Sequence, residues 1–367
     1  MIKKNFLNAF KGSNVLITGH TGFKGSWLTA WLSYLGANIT GISLNPNTNP
    51  SHFASLKISC EINDLRIDIC NKDELKNALL DVKPDFVFHL AAQALVSNAY
   101  EFPIDTWQTN LVGTLNLIDA LRYIDKKCAA VFVTSDKCYQ NFEWVWGYRE
   151  NDILGGADPY SASKAAAEIA IRSHIKSFFS SSGNSISIGS ARAGNVIGGG
   201  DWSQNRIVPD CIRAWTNDEV VLLRNPSSTR PWQHVLEPLS GYLVQAIALS
   251  NRPTLHGESF NFGPSNDNNN SVLDLVKKMS IYWDKVKWEI ATNENNVYES
   301  GLLKLNCDKA LHELNWQSVL DFESTVSMTI DWYKSYYKDP EIAATLSKNQ
   351  ILAYTEKANK KGLFWAQ

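Results

Sequence analysis

The chain of 367 residues lacks an excess of either charge: 35 Lys and Arg stand against 37 Asp and Glu, a formal net charge of −2. It also lacks a Lys/Arg run, so no basic stripe is available for nucleic acid. No apolar run reaches the roughly 20 residues that span a bilayer, which excludes a transmembrane protein of the helical kind. The six cysteines (Cys60, Cys70, Cys128, Cys138, Cys211 and Cys307) include no CxxC pair, and the seven histidines include no HxH or HxxxH pair. Neither a zinc site nor a redox pair is indicated, no metal is expected, and the thiols are expected reduced and mostly buried. There is no GxSxG for a nucleophilic serine, and no internal repeat. The opening "MIKKNFLNAFKGSNVLITG" has two lysines but no apolar core before a cleavage site, so it predicts a cytoplasmic start. What is present is ordinary for a soluble enzyme: 44% hydrophobic and 20% charged residues, with thirteen tryptophans.

The first half alternates buried-strand runs with helical periodicity. Strands are predicted at 14–19, 37–44, 64–69, 84–92, 129–135 and 185–196, with helices at 23–36, 72–82, about 104–124 and 159–180 between them. Continuous apolar strands separated by helices imply a parallel sheet covered on both faces, and right-handed crossovers make it doubly wound. After Asn195, three glycines (198–200) break the pattern. The expected division is a dinucleotide-binding domain at 11–196, returning near 231–263, and a smaller interleaved substrate part at 197–230 and 264–335. The asparagine-rich piece 266–270 reads as a solvated loop, and 336–367 as a C-terminal tail without an assigned role.

"TGHTGFKG" places Gly19, Gly22 and Gly25 directly after the first strand and at the start of a helix. Gly19 permits a tight turn, Gly22 a close approach by pyrophosphate, and Gly25 close packing of helix on strand. The unpaired N–H groups of the helix start then face the anion. NAD is favoured over NADP. The ribose position carries Asn45 in place of an acid, with no arginine beside it in sequence to take a 2′-phosphate. Asp68, after the third strand, is a candidate for the adenine amino group or a strand-end cap.

"DPYSASK" opens a helix with Pro159, and Tyr160 and Lys164 share one face at i and i+4. An ammonium about 4 Å from the phenol favours phenolate by roughly 4 kcal/mol at an effective dielectric near 20. Tyr160 is therefore expected to act as a base near neutrality. Together with the glycine turn, "HLAAQ" (89–93) and strand-end Ser135, this pattern resembles the extended short-chain dehydrogenases/reductases. The resemblance implies a Ser–Tyr–Lys catalytic set, a nicotinamide cofactor and a nucleotide-sugar substrate. It adds Thr21, Phe23, Lys24, Ile69, Ala91, Ala92 and Gln93 to the cofactor contacts. It also implies that Asn110 supports the active-site lysine and that subunits pair, as homodimer or homotetramer, through two helices each.

"VTSDKCYQN" (133–141) adds an acid, Asp136, and a base, Lys137, to Ser135 at the end of the fifth strand. Alcohol oxidation needs no such pair, but an elimination does. A ketone at C4 of a hexose acidifies the C5 proton; a base removes it while an acid protonates the departing C6 hydroxyl. An acid followed by Glu or Lys at this place resembles the hexose 4,6-dehydratases of nucleotide sugars. With "GHTGFKGSWL", "GNVIGGGDW", "RPWQHV" and "YESGLLKLNCDKALHELNW", the lysine version resembles the CDP-hexose branch. The carry-over makes Asp136 the acid and Lys137 the base, with CDP-glucose or another nucleotide hexose as partner. A basic lysine must have its pKa depressed by burial or by positive neighbours.

For the substrate nucleotide, Arg224 and Arg230 are candidate forks onto phosphate. Trp232 is a candidate wall for the pyrimidine or a core residue, and Gln233 and His234 are candidate polar contacts. Asn195 resembles the family's phosphate-contacting asparagine, and Arg206 is a further candidate. The alternatives are an epimerase or a dehydratase of another nucleotide sugar, and, more distantly, a non-catalytic NAD-binding scaffold.

Overall fold

The computed structural model describes residues 6–181, 185–264, 270–291 and 301–367. The loop expected at 266–270 lies outside the described residues up to 269, as do the first three residues of the late motif at 298–316.

The first half runs β1 (Asn14–Thr18), α1 (Phe23–Tyr34), β2 (Asn38–Ile42), α2 (His52–Leu56), β3 (Asn63–Leu65), α3 (Lys72–Val82) and β4 (Phe86–His89). It continues with α4 (Val96–Glu101), α5 (Pro103–Trp107), α6 (Gly113–Leu121), β5 (Cys128–Val133), α7 (Pro159–Phe178) and β6 (Ile186–Ala193). Then follow β7 (Val196–Ile197), α8 (Ile207–Thr216), β8 (Val221–Leu223), β9 (Thr229–Arg230), β10 (Gln233–His234), α9 (Leu236–Asn251) and β11 (Ser259–Phe262). The remainder is β12 (Asn270–Ser271), α10 (Val272–Tyr282), β13 (Trp288–Ile290), α11 (Asp308–Leu314), α12 (Phe322–Lys338) and α13 (Ala343–Lys360).

Seven strands form one parallel sheet in the order β11-β6-β5-β4-β1-β2-β3. The side-chain period of two divides each strand between two cores. Val15 and Ile17 join Trp27, Trp31 and the α9 leucines on one face, while Leu16 joins Leu75, Leu117 and Ile171 on the other. The seventh strand, β11, comes from beyond the glycine break and pairs with β6. The sheet order reverses between β1 and β4, so the outward crevice at their carboxyl ends is where a doubly wound fold receives its ligand.

Three local expectations need correction. The third strand stops at Leu65. Beyond it Arg66 turns to the Leu44 carbonyl, and the Asp68 carboxylate accepts from the Cys70 amide at 2.8 Å, so the chain leaves the edge of the sheet. The single helix expected at 104–124 is two helices joined by a π-helical turn at Gln108–Val112, which puts Asn110 into the interior. The last residues, expected only as a tail without an assigned role, pack on the domain: α13 lies against α1 and α2, burying Ile351 and Tyr354, and Trp365 beyond it is buried as well.

Candidate active site

The glycine turn forms as its spacing requires. Gly19 has φ +78°, and a Cβ there would lie 2.6 Å from the Ala91 amide nitrogen. A Cβ at Gly25 would lie 2.0 Å from the Gly19 carbonyl oxygen, so helix and turn touch through their backbones. At Gly22 a Cβ would meet only the Gly19 carbonyl oxygen, at 3.4 Å, leaving open space over the start of α1. Gly22 supplies no side-chain cap, so the first-turn amides are presented to that space. The cradle suits a dinucleotide pyrophosphate.

Around the cradle the expected contacts divide. Thr21 is buried, and its hydroxyl is taken by Ser43 at 2.7 Å and by the Leu44 carbonyl at 3.0 Å; it ties the turn to β2. Phe23 is half-buried and packs against the core cluster of α1 and α9. Asn45 is exposed at the end of β2. The sequence shows no arginine beside it, but folding brings one: Arg66 donates to the Leu44 carbonyl at 2.9 Å and pairs with Asp64 at 2.7 Å. Asp68 is exposed and accepts from the Cys70 amide in the turn before α3, while Ile69 is buried beneath Gly113. Ala91, Ala92 and Gln93 are half-buried at the end of β4. Asn110 accepts from the Gln93 amide at 2.9 Å, donates to the Gln93 carbonyl at 3.0 Å, and donates to the Ser163 hydroxyl at 2.9 Å. It thus clasps the β4 loop to α7, reaching the helix through Ser163, next to Lys164.

At the tip of β5 the side chains converge. Ser135 is buried and donates to Asp136 Oδ1 at 3.0 Å, while its oxygen caps the Lys137 amide at 3.2 Å. Asp136 is 3% exposed, and its Oδ2 has no partner among the described residues. Burial raises its carboxyl above the ordinary value, against the pull of Lys137, the Ser135 hydrogen bond, Lys24 and Arg230. Lys137 is half-buried beside it. Pro159 and the Asp158 cap, which accepts from the Ser161 amide at 3.0 Å, fix the start of α7 and set Tyr160 next to Ser135.

Burial is the largest influence on both members of the Tyr–Lys pair. Burial pushes the Tyr160 phenol up to about 12; the Ser135 hydrogen bond and Arg206 pull it down, and Asp136 and Asp158 push it up. Lys164 is itself buried, and loss of hydration brings its ammonium down to about 8 while Glu168 pulls it up. Lys24 lies in the same electrostatic field. Its ammonium faces Asp136, Lys164 and Arg206 rather than the cofactor cradle alone, and burial brings it down to about 8.

The stretch 222–235 departs most from expectation. Arg230 is buried and acts on Asp136. Arg206 pairs with Asp201 at 3.1 Å and reaches the field of Tyr160 and Lys24. Asn195 is half-buried, its carbonyl accepting from the Gln233 amide at 3.2 Å. Arg224 is exposed and faces Asp210 of α8. Trp232, Gln233 and His234 are no substrate slot. Trp232 is buried in the main core and donates to the Asn270 carbonyl at 3.1 Å. Gln233 is 1% exposed and donates to the Phe262 carbonyl at 3.0 Å. His234 lies against Trp27, its Nδ1 accepts from the Leu236 amide at 3.3 Å, and burial brings it down to about 3. β10 pairs with β7 and so turns these residues inward.

Sequence reading missed the scaffold beneath β5. Glu168 accepts from Arg192 Nε at 3.0 Å and Nη2 at 2.8 Å, from Thr134 at 2.5 Å and from Ser190 at 2.8 Å. This fully hydrogen-bonded buried pair holds β5, β6 and α7 in register at the strand tip. The signal was an arginine inside a buried strand run, with a glutamate one helical turn after Lys164.

A glycine cradle and a Ser–Tyr–Lys edge on a doubly wound sheet define the extended short-chain dehydrogenases/reductases. Within them, this chain belongs to the family described as GDP-mannose 4,6 dehydratase, which it matches over residues 16–329. It is 42% identical over 358 residues to CDP-glucose 4,6-dehydratase of Salmonella typhimurium, covering 96% of this chain and 98% of that one. A UDP-glucose 4-epimerase of Mycoplasma pneumoniae is 23% identical, over 89% and 98%. Among solved structures, a dTDP-glucose 4,6-dehydratase of Bacillus anthracis in complex with NAD superposes with a TM-score of 0.73 at 20% identity, over 89% of this chain and 98% of that one.

Proposed function

We propose that this chain is an NAD-dependent CDP-glucose 4,6-dehydratase, releasing CDP-4-keto-6-deoxyglucose and water. The observation that carries the reading is the Asp136 carboxyl: buried at the β5 tip, one oxygen held by Ser135 and the other unpartnered, next to Tyr160. Epimerisation at C4 has no use for a buried acid there. The 42% identical relative supports cytidine as the base.

The residues around Gly22 and the end of β2 would hold NAD, which when bound takes up hydrogen from C4 and returns it at C6. Ser135 and Tyr160 accept the C4 hydroxyl and receive its proton. Asn110 clasps the β4 loop to α7 through Ser163, and Lys164 would hold the nicotinamide ribose. Once C4 is a ketone, Lys137 removes the C5 proton and Asp136 protonates the departing C6 oxygen. Lys24, Arg206 and Arg230 set a positive field at the mouth, suited to a substrate pyrophosphate. Low exposure at the β5 tip keeps water from competing with the leaving group.

The reading includes a cytoplasmic homodimer or homotetramer. Exposed Tyr100, Phe102 and Ile104 on the α4–α5 corner and Ile169 on the neighbouring α7 support pairing through that face. Among the described residues, no helix is long and apolar enough to cross a membrane.

Incubation with CDP-, dTDP-, UDP- and GDP-hexoses in heavy water tests the activity. The expected result is a 6-deoxy-4-keto product from CDP-glucose carrying solvent deuterium at C5. A C4 epimer, or no product from any donor, defeats the reading.

A further inference from the structure

Residues 330–367 lie beyond the stretch matched to the dehydratase family, and no residue of the site described above comes from them. Two of them are nevertheless joined, through one histidine, to the first turn of the cofactor cradle. We infer that the segment is a clamp on that cradle: Trp332 of α12 and Ser347 of α13, acting through His52, hold the start of α1 in the attitude that receives a dinucleotide pyrophosphate. All three act through α1 and are positioning residues. The inference rests on the cradle being a dinucleotide site.

The hydrogen bonds form one chain, and counting donors gives its direction. The Trp332 indole can only donate, so Ser347 Oγ accepts from it at 3.1 Å. Ser347 is wholly buried, and its other partner among the described residues is His52 Nε2 at 2.9 Å, so its hydroxyl donates there. At the far end the Ser26 hydroxyl donates to the Phe23 carbonyl at 2.9 Å. Ser26 Oγ also lies 2.8 Å from His52 Nδ1, whose N–H therefore donates to it. His52 is fixed as the neutral tautomer protonated at Nδ1. The chain runs uncharged from α12 through α13 and α2 into α1, with every donor in it used.

The start of α1 has no cap of its own, because Gly22 lacks a side chain. Its attitude is set by what it leans on. On one side Gly25 touches the Gly19 backbone. On the other the His52 ring stacks on Trp27, centroids 4.8 Å apart, and Trp27 Nε1 donates to the Gly199 carbonyl at 2.9 Å. The three glycines that break the sequence pattern fit over this same support. A Cβ at Gly198 would lie 3.3 Å from the Phe23 ring, one at Gly199 2.1 Å from Trp332, and one at Gly200 2.4 Å from the His52 ring. Loss of the Ser347 hydroxyl would leave the Trp332 N–H and His52 Nε2 buried and unpaired. That cost is relieved by movement of His52, and so of the helix start and glycine loop that rest on it. A second anchor of α13 is independent of the chain: Tyr354 donates to Glu237 of α9 at 2.8 Å.

Full-length protein freed of bound nucleotide is titrated with NAD by calorimetry, well below the unfolding midpoint of each variant. Ser347→Ala should weaken NAD binding about ten-fold. Ser347→Thr keeps the hydroxyl and should stay within about three-fold of the native protein. Tyr354→Phe should lower the unfolding midpoint yet leave the NAD dissociation constant within about two-fold, since it loosens α13 without breaking the chain. Nitrogen NMR of the histidine side chains, with His52 assigned through His52→Gln, should show His52 protonated at Nδ1 alone in the native protein. Native NAD affinity in Ser347→Ala overturns the clamp and leaves the cradle reading standing. So does equal weakening by Tyr354→Phe or by Ser347→Thr, or a His52 protonated at Nε2. Failure of the native protein to bind NAD defeats the cradle reading itself.

Discussion

Two short segments reach the same edge of the sheet and fare differently. Residues 133–141 end β5 with Ser135, Asp136 and Lys137, and the fold brings these to Tyr160 from α7. Residues 230–235 offer an equally polar string, "RPWQHV", yet only Arg230 joins the site, while Trp232, Gln233 and His234 point into the core. The first segment leaves a central strand, whose carboxyl end in a parallel sheet faces the ligand crevice. The second is a two-residue strand pairing β7, and that pairing sets which side faces in. Polar residue types do not reveal a site by themselves; their place on the sheet does.

The contrast predicts unlike consequences of substitution. Asp136→Asn should cost about 10²- to 10⁴-fold in dehydration while C4 oxidation survives, read as ketohexose by mass spectrometry. Loss of oxidation as well as elimination would put Asp136 in a different role.

Trp232→Ala should cost about 3–5 kcal/mol of folding stability in urea denaturation, because it empties a buried site and removes an indole hydrogen bond. An unchanged midpoint with a raised KM for the nucleotide would restore it to the substrate pocket and erase the contrast.

His234→Gln makes the smallest change. The buried imidazole is held near 3, far below its unfolded value near 6.5. Its contribution is therefore present above about pH 6.5 and is lost as pH falls toward 3, by about 1.4 kcal/mol per pH unit. His52 and His89, also brought down to about 3, add to the same slope. Glutamine cannot protonate, so the variant's stability should fall less steeply between pH 6 and about 4. An unchanged slope would place His234 in contact with water.

Much of the site was legible because it is local. The glycine turn is a matter of φ angles and missing Cβ atoms, and Tyr160 and Lys164 follow a helix start marked by Pro159. Ser135, Asp136 and Lys137 follow the end of a buried run. Less was legible where distant segments meet. Arg66 comes beside the end of β2 from another strand. Lys24 comes into the field of Asp136, Lys164 and Arg206. Glu168 and Arg192 lie 24 residues apart on different elements and still form one ion pair.

By itself the sequence determined the parallel sheet, the cradle and the identities of the reacting groups, since these depend on periodicity and on residues within a turn of one another. Only the tertiary structure decided how those groups are charged and which polar residues reach the crevice. Charge state depends on how much water is excluded and which distant charges replace it. That is why Tyr160, four residues from a lysine, is governed by its burial, and why His234, four residues from Arg230, is a neutral part of the core.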